Sequence, residues 1–534
     1  MQRRRTIGQH AVATATLSAI AVAMTGIPAR AAPTPGQGPD DGTRLAAALV
    51  REVTVQAINR HLIALQRFAD TFGGIRAAGT PGHDRSAAYV HDKLVAAGYT
   101  VHDEEFPFRY SQTLAQTGAA SGPTPRTLTP TVMQYSPNTP LGGISAALTV
   151  VAADDTPGCE PTDFASGAYA GTIVLIKRGG CSFAVKQQNA GAARAIGVLV
   201  YNNATDPDEP VGGTLGDASA AVVPTAGIPR AQGEALTADA AAGKVTVAMD
   251  LRTLTEERTS RNVIAETPTG RADNVVMLGA HLDSVTAGPG INDNGTGSAT
   301  LLELALRLAD HPVPNKVRFA WWSAEEFGLL GSEYHVAHLT LEQQLDIALY
   351  LNFDMLGSPN FARFVYDGDN SDGVGSGPGP FGSAPIEQVL AGYLDSRGLP
   401  HEGTDFDGRS DYGPFIAVGI PSGGLFTGAE ERKTTDQAAR YGGTAGQPFD
   451  SCYHRACDTL GNVNRAVLDQ NADAVAWATG LFAVDTSSIN GNALARRQRV
   501  EAARVAAARA VAAGFPAART AVDGATAGTA LPVR

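Results

Sequence analysis

Asn274-Val-Val-Met-Leu-Gly279 is an apolar run that predicts a buried strand, and it begins the part of the chain that decides the fold. A helical pattern follows over 298–309, and two further strand patterns follow over 316–322 and 346–353. This alternation is typical of an α/β sheet whose functional loops lie at the carboxyl ends of its strands. We therefore expect a central mixed β-sheet flanked by helices.

Side chains that can bind metal stand where the predicted strands run into loops. Four such junctions and one residue far along the chain carry them: His281 with Asp283, Asp293, Glu325 with Glu326, Asp354, and His454. A single acid at a loop end is usually a helix cap or a solvated residue, but several carboxylates buried in one crevice are costly unless cations pair with them. Imidazole and carboxylate ligands without thiolate fit zinc or a similar divalent ion, and a shared carboxylate suits a two-metal site.

The neighbouring residues Glu325 and Glu326 are expected to have different tasks. Successive side chains of an extended backbone point to opposite sides, so one is expected to bind metal and the other to transfer protons. The chain has no His-Glu-x-x-His and no Gly-x-Ser-x-Gly motif, which excludes the usual single-zinc and serine-hydrolase sites. The Gly-rich loop over 288–297 lacks the Gly-Lys-Ser/Thr ending of a phosphate loop, so a nucleotide site is not expected.

The composition indicates a globular protein with more than one domain. The chain has 534 residues, of which 43% are hydrophobic and 18% are charged. This length exceeds what one core usually serves, so we expect two domains and a tail. The formal net charge of −12 argues against nucleic acid as a partner, because contacts to phosphates require clustered Lys and Arg.

The N-terminus is typical of an export signal. Arginines at positions 3–5 precede an apolar run over 11–24 and small residues that end at Ala31. We predict a signal peptide over 1–31 and a secreted protein. A single membrane anchor is the alternative, but the run is short and no later segment is apolar enough to span a membrane, so no membrane association is expected.

Export also favours disulfide bonds between the cysteines. The chain has four cysteines, which allow three connectivities. Proximity in sequence favours the pairs Cys159 with Cys181 and Cys452 with Cys457.

The rest of the chain divides into a catalytic part, an insert and a tail. Short β-rich runs separated by Gly, Pro and Asp turns distinguish residues 111–250 from their surroundings. We predict a catalytic domain over 45–110 and 251–485, a β-rich insert over 111–250, and an Ala/Arg-rich tail over 486–534.

Five distinctive stretches follow one another along the chain. They are Gly279-Ala-His-Leu-Asp-Ser-Val, Gly290-Ile-Asn-Asp-Asn-Gly-Thr-Gly, Trp322-Ser-Ala-Glu-Glu-Phe-Gly-Leu-Leu-Gly-Ser, Gly408-Arg-Ser-Asp-Tyr-Gly-Pro-Phe and Cys452-Tyr-His-Arg-Ala-Cys-Asp. Together they resemble the co-catalytic di-zinc exopeptidases, especially the secreted bacterial leucine-type aminopeptidases. The insert resembles a protease-associated domain through Gly171-Thr-Ile-Val-Leu-Ile and Ala195-Ile-Gly-Val-Leu-Val, a module that the compact secreted aminopeptidases lack.

The resemblance implies two zinc ions per chain. His281 and Asp354 would bind one ion, Glu326 and His454 would bind the other, and Asp293 would bridge both.

The resemblance also implies roles around the metals. Glu325 would act as the general base, Tyr453 would donate a hydrogen bond to the developing oxyanion, and Asp283 would orient His281. Arg409 matches an arginine that helps to place the substrate backbone.

A calcium ion is a further expectation from the family. Asp469 and Asp473, one helical turn apart, match carboxylates that bind a stabilising calcium in some of these enzymes, and the third position falls near Glu52.

These expectations combine into a secreted, monomeric metalloaminopeptidase that removes N-terminal, apolar residues from peptides with a free N-terminus. A carboxypeptidase or a single-zinc glutaminyl cyclase of the same fold is the first alternative, and a noncatalytic receptor-like protein is the second. The five intact ligand positions argue against the cyclase and the receptor.

Overall fold

A computed structural model describes residues 39–491, apart from 166–168, 206, 209–210, 217–218 and 376, together with residue 505. The predicted signal peptide lies outside the described residues, and so does the predicted tail from residue 492 onward, except for residue 505. In the part of the chain that the structure describes, no helix is long and apolar enough to cross a membrane.

The strands of the described residues are β1 (Thr100–Ser121), β2 (Arg126–Leu128), β3 (Thr131–Val132), β4 (Ile144–Val150), β5 (Ile173–Lys177), β6 (Gly197–Tyr201), β7 (Thr225–Ile228), β8 (Thr246–Glu266), β9 (Arg271–His281), β10 (Asn315–Trp322), β11 (Ile347–Phe353), β12 (Phe364–Tyr366), β13 (Glu402–Thr404) and β14 (Ser422–Phe426). The α-helices are α1 (Pro39–Glu52), α2 (Val55–Thr71), α3 (Pro81–Ala96), α4 (Phe183–Ala192), α5 (Arg230–Ala242), α6 (Thr296–Leu308), α7 (Leu330–His338), α8 (Leu341–Asp346), α9 (Ser383–Ser396), α10 (Tyr412–Ala417), α11 (Thr435–Tyr441), α12 (Arg465–Val484) and α13 (Ser487–Asn490).

The catalytic part contains a mixed sheet with the strand order β13-β12-β14-β11-β9-β10-β8. Strands β14, β11, β9 and β10 run parallel, whereas β8 is antiparallel to β10 and β12 is antiparallel to β14. The buried apolar residues of these strands pack against α6 and α12 in the largest core. The predicted central mixed sheet flanked by helices is therefore confirmed.

The insert has its own parallel strands and its own cores. Strands β4, β5, β6 and β7 run parallel, and β3 is antiparallel to β7. Two separate clusters of buried apolar residues lie in this part of the chain, which also contains α4 and α5.

Two long strands connect the insert to the catalytic sheet. Strands β1 and β8 pair antiparallel from Thr100 opposite Glu266 to Ser121 opposite Thr246. One end of β8 pairs with β10 of the catalytic sheet and the other end pairs with β4 of the insert. The predicted domain limits at 110/111 and 250/251 therefore fall inside continuous strands, because the ladder of hydrogen bonds does not stop where the composition changes.

The catalytic part also extends beyond the predicted limits at both ends. Helix α1 begins at Pro39 and packs so closely on α12 that a Cβ at Gly480 would lie 2.4 Å from the Cα of Ala46. After α12, the Asn490 amide donates to Asn274 Oδ1 over 2.8 Å, which ties α13 to the start of β9. Both contacts join residues that are far apart in the sequence, and the amino-acid composition does not reveal them.

The two predicted disulfide pairs are confirmed. Cys159 is bonded to Cys181 and Cys452 is bonded to Cys457. The first bond lies in the insert, and the second closes the short loop that carries Tyr453 and His454.

Candidate metal centre

The carboxyl ends of three neighbouring parallel strands carry most of the predicted ligands. His281 is the last residue of β9, Glu326 lies in the loop after β10, and Asp354 directly follows β11. Asp293 lies in the short segment Ile291–Gly295 before α6, where its own backbone is not helical, and His454 lies in the loop between α11 and α12. Because the ends of parallel strands meet at one edge of a sheet, the structure brings all five residues together.

These side chains form two groups that share one carboxylate. His281 Nε2 lies 3.2 Å from Asp293 Oδ1 and 3.3 Å from Asp354 Oδ1. In the second group, His454 Nε2 lies 3.2 Å from Asp293 Oδ2 and 3.0 Å from Glu326 Oε2. Within each group the potential ligand atoms lie within 4.8 Å of one another. Since the two oxygens of Asp293 face different groups, this carboxylate is positioned to bridge two ions.

The donors in both groups fit zinc. Glu326 Oε1 and Asp354 Oδ1 are buried without a hydrogen-bond partner. Buried carboxylate oxygens that lack a partner are destabilising, and a divalent cation would satisfy them. Imidazole nitrogen and carboxylate oxygen without sulfur are ligands that zinc accepts.

The pKa values of the second group reflect this crowding of charge. Burial and the neighbouring Asp293 carboxylate raise the pKa of Glu326 to about 7. Burial alone would lower the pKa of His454, but hydrogen bonds to Asp293 and Glu326 raise it to about 10. A proton on the imidazole thus offsets the carboxylates in the metal-free protein, and metal binding would release it.

Three residues in the loops that carry the candidate ligands have a left-handed backbone conformation. Ala324, which precedes the two glutamates, has φ 56°, Met355, which follows Asp354, has φ 51°, and His454 itself has φ 55°. Such values are uncommon outside glycine and persist where the surrounding structure enforces them, often at functional sites.

Asp283, which was predicted to orient His281, contacts this imidazole through its main chain. Its main-chain oxygen lies 3.2 Å from His281 Nδ1, whereas its carboxylate Oδ1 lies 3.8 Å away. The carboxylate instead accepts hydrogen bonds from the backbone N–H groups of Glu325 and Glu326 over 3.3 and 3.4 Å. The backbone of Asp283 therefore orients the imidazole, and its side chain holds the turn that carries the two glutamates.

Glu325 points to a different partner from its neighbour Glu326. Its Oε2 lies 4.0 Å from His281 Nε2, and the side chain lines the cleft above the two groups. Burial and the nearby carboxylates of Glu326 and Asp411 raise the pKa of Glu325 well above its usual value. The division of tasks between the two glutamates stays a prediction, because the potential ligand atoms of His281, Glu325 and Glu326 also lie within 4.8 Å of one another.

A cleft of about 340 Å³ opens over the two groups. One wall is apolar and includes Met355, Phe364, Tyr366, Phe426 and Phe449. Arg409 and Tyr453 lie on the same cleft, and Arg409 Nη2 donates to the Tyr453 hydroxyl over 3.4 Å. Burial raises the pKa of Tyr453, and the carboxylate of Asp293 raises it further, so its hydroxyl keeps its proton.

Among the described residues, none from the insert lines the cleft. Every residue that lines the cleft lies between Asp293 and His454.

The predicted calcium residues Asp469 and Asp473 lie together on α12, and the third predicted position, Glu52, is the last residue of α1. Burial and the neighbouring Asp469 raise the pKa of Asp473 to about 6. Glu52 contacts His311 instead, with 3.1 Å between Oε2 and Nε2. Among the described residues, no group of three potential metal ligands includes Asp469 or Asp473.

Arg76 supports the site, although the sequence reasoning missed it. The side chain is fully buried and donates to the main-chain oxygens of Leu282, Pro289 and Gly290, which belong to the loop between His281 and Asp293. A signal was present, because a lone arginine in the run Gly74-Ile-Arg-Ala-Ala is unexpected unless its charge is held by the fold.

A buried network joins the His454 loop to the bridging aspartate, and sequence reasoning missed this too. Asp458 accepts hydrogen bonds from the backbone N–H groups of Asn292 and Asp293 over 2.8 and 3.0 Å. The Asn462 amide donates to Asp458 and to both oxygens of Asp450. The network holds the backbone of Asp293 against the disulfide-closed loop.

Asp458→Asn is therefore expected to weaken zinc binding by roughly 10- to 100-fold, the usual range when a partner of a ligand is lost. The amide would present a donor to one of the backbone N–H groups that now donate to Asp458. Zinc affinity is measured by competition with a chromogenic chelator. Asp436→Asn, an exposed change on α11, is the control, and equal zinc affinity in the two variants would contradict the positioning role.

Two family models match the chain. The model described as "Peptidase family M28" matches residues 262–479, and the model described as "PA domain" matches residues 146–236. The first match contains all five residues of the two groups, and the second lies within the insert.

Proteins similar to this chain carry aminopeptidase names. "Probable lipoprotein aminopeptidase LpqL" of Mycobacterium tuberculosis is 43% identical over 450 residues, which cover 84% of this chain and 88% of that protein. "Leucine aminopeptidase 2" of Trichophyton tonsurans is 44% identical over 437 residues, which cover 82% and 85%. The solved structure of BSAP, a zinc aminopeptidase from Bacillus subtilis, superposes with a TM-score of 0.55 at 25% identity and covers 80% of this chain and 94% of that one.

Proposed function

Since the chain belongs to peptidase family M28 and is a zinc-dependent aminopeptidase, we propose that it removes apolar residues from the N-terminus of peptides with two zinc ions. His281 and Asp354 would hold one ion, Glu326 and His454 the other, and Asp293 both. The observation that carries this proposal is that Asp293 directs one oxygen toward each histidine, at 3.2 Å in both cases.

Zinc bound in these groups would lower the pKa of a water molecule and polarise the carbonyl of the scissile bond. Glu325 would take a proton from the attacking water and later give it to the leaving amine, because its carboxyl group lines the cleft beside His281. The protonated hydroxyl of Tyr453 would donate a hydrogen bond to the oxygen on which charge develops. Arg409 would help to place the substrate backbone.

The cleft supports a preference for an apolar first residue with a free amine. The aromatic side chains and Met355 on one wall offer apolar contact for a side chain such as Leu, Met or Phe. The acidic side chains Asp405, Asp407 and Glu431 also line the cleft, and their negative charge favours an ammonium group. No observation favours the carboxypeptidase, the glutaminyl cyclase or the receptor-like alternative.

Secretion, a monomeric state and calcium complete the proposal. Two disulfide bonds are typical of an exported protein and support secretion. The burial of Asp473 next to Asp469 supports a cation there.

Leu-p-nitroanilide is expected to be cleaved, and N-acetyl-Leu-p-nitroanilide is not, because acetylation removes the charged amine. A chelator should abolish turnover, and zinc should restore it. Metal analysis of the purified protein should find two zinc ions per chain, and it measures calcium in the same sample. Cleavage of the blocked substrate would contradict the aminopeptidase assignment, and turnover that survives the chelator would contradict the metal requirement.

A further inference from the structure

Arg409, at the rim of the cleft, is already paired with two carboxylates. Its Nη2 lies 2.7 Å from Glu430 Oε1 and its Nη1 lies 3.1 Å from Glu431 Oε1. All three side chains are half exposed, so solvent reaches the cluster. One carboxylate already neutralises a guanidinium, so the second glutamate leaves the cluster with an excess of negative charge.

The charges around this cluster do not offset that excess. Outside the metal ligands and Glu325, the acidic residues of the outer cleft are Asp405, Asp407, Glu430 and Glu431, and the arginines are Arg409 and Arg432. Arg432 donates to the main-chain oxygen of Gly446 over 2.7 Å. The outer cleft therefore carries a net negative charge and repels anions.

The cluster lies next to the group proposed to contact the scissile bond. Arg409 Nη2 lies 3.4 Å from the hydroxyl of Tyr453, the group proposed to contact the scissile carbonyl oxygen. Consecutive Cα atoms of a peptide are about 3.8 Å apart. If the second residue of a substrate is also the last, its carboxylate would lie close to Arg409 and its two glutamates.

We propose that Glu430 and Glu431 are specificity-determining residues that select against dipeptides and in favour of longer peptides. This inference rests on the function proposed above. In a dipeptide the carboxylate one residue beyond the scissile bond meets an arginine that is already paired and one surplus negative charge. In a longer peptide the same position is an uncharged amide, which meets no such repulsion.

The test compares Leu-Gly with Leu-Gly-NH₂, which differ in that one charge. The wild-type enzyme should have a higher kcat/KM for the amide. Glu430→Gln with Glu431→Gln should raise the ratio of kcat/KM for Leu-Gly over Leu-Gly-NH₂ by about fivefold to tenfold at low salt, as expected for charges that steer a substrate. The single substitution Glu430→Gln should give an intermediate ratio, and added salt should reduce the difference between wild type and double variant.

Glu257→Gln with Glu342→Gln is the matched control, because it removes two exposed negative charges away from the cleft. This control should leave the ratio at its wild-type value. The inference is overturned if the double variant at the rim changes kcat/KM for both substrates by the same factor, as loss of a merely structural contact would. It is also overturned if the control changes the ratio as much as the double variant at the rim does. Failure of the proposed function has a different signature, since Leu-Gly-NH₂ would then not be cleaved by any of the proteins.

Discussion

Glu325→Gln is expected to lower kcat for Leu-p-nitroanilide by about 10²- to 10⁴-fold, the range typical of removing a general base. Glutamine has nearly the shape of glutamate but cannot take up a proton from water and pass it to the leaving amine. Zinc content should remain that of the wild type, because Glu325 Oε2 lies 4.0 Å from the nearest predicted ligand atom of His281. Steady-state kinetics and metal analysis on one preparation measure both quantities.

Glu326→Gln is the control for this result, because it makes the same chemical change at the next residue. Glu326 Oε2 lies 3.0 Å from His454 Nε2 within the second group, so this variant should lose zinc as well as activity. Loss of activity without loss of zinc at Glu325, together with loss of both at Glu326, would separate the two tasks. A Glu325→Gln enzyme with wild-type kcat, or one that has lost its zinc, would contradict the assignment of Glu325 as the base.

The sheet was predictable because its central strands are buried on both faces. Such strands form continuous apolar runs, and the run over 274–279 lies within β9 (Arg271–His281). The strand predicted over 316–322 corresponds to β10, and the helix predicted over 298–309 corresponds to α6 (Thr296–Leu308). The ligands were predictable for a related reason, because polar residues at the ends of buried strands must lie along one edge of the sheet.

The supporting contacts were not predictable in the same way. Arg76 and Asp458 are each single charged residues, and their partners lie far away in the sequence, so no local pattern connects them to the ligands. The same holds for the role of Asp283, whose carboxylate meets the backbone of residues 325–326 rather than its own neighbour His281. Pairing of β1 with β8 also joins distant segments, and for this reason the composition could not show that these strands continue across the predicted domain limits.

The contact of Glu430 and Glu431 with Arg409, at the rim of the cleft, could not be predicted from the sequence either. The sequence places Arg409 more than twenty residues before them, and only the fold shows that its charge is paired. The family resemblance assigns a role to Arg409, but it does not show that carboxylates offset the charge of this arginine.

Asp293→Asn is expected to have the second large effect, a loss of activity greater than the roughly 10- to 100-fold that follows removal of a partner of a metal ligand. Asp293 contributes one oxygen to each group, so the neutral amide weakens both sites together. We expect zinc content to fall below one ion per chain and the thermal midpoint to stop responding to added zinc. Metal analysis and thermal unfolding with and without zinc measure these two results.

His454→Gln distinguishes a bridging ligand from an ordinary one. His454 belongs only to the second group, whereas the first group of His281, Asp293 and Asp354 stays intact in this variant. It should therefore keep close to one zinc ion and a thermal midpoint that still rises with added zinc. If Asp293→Asn and His454→Gln retained the same amount of zinc, the two groups would not depend on a shared carboxylate, and the two-ion arrangement would have to be replaced by a single site.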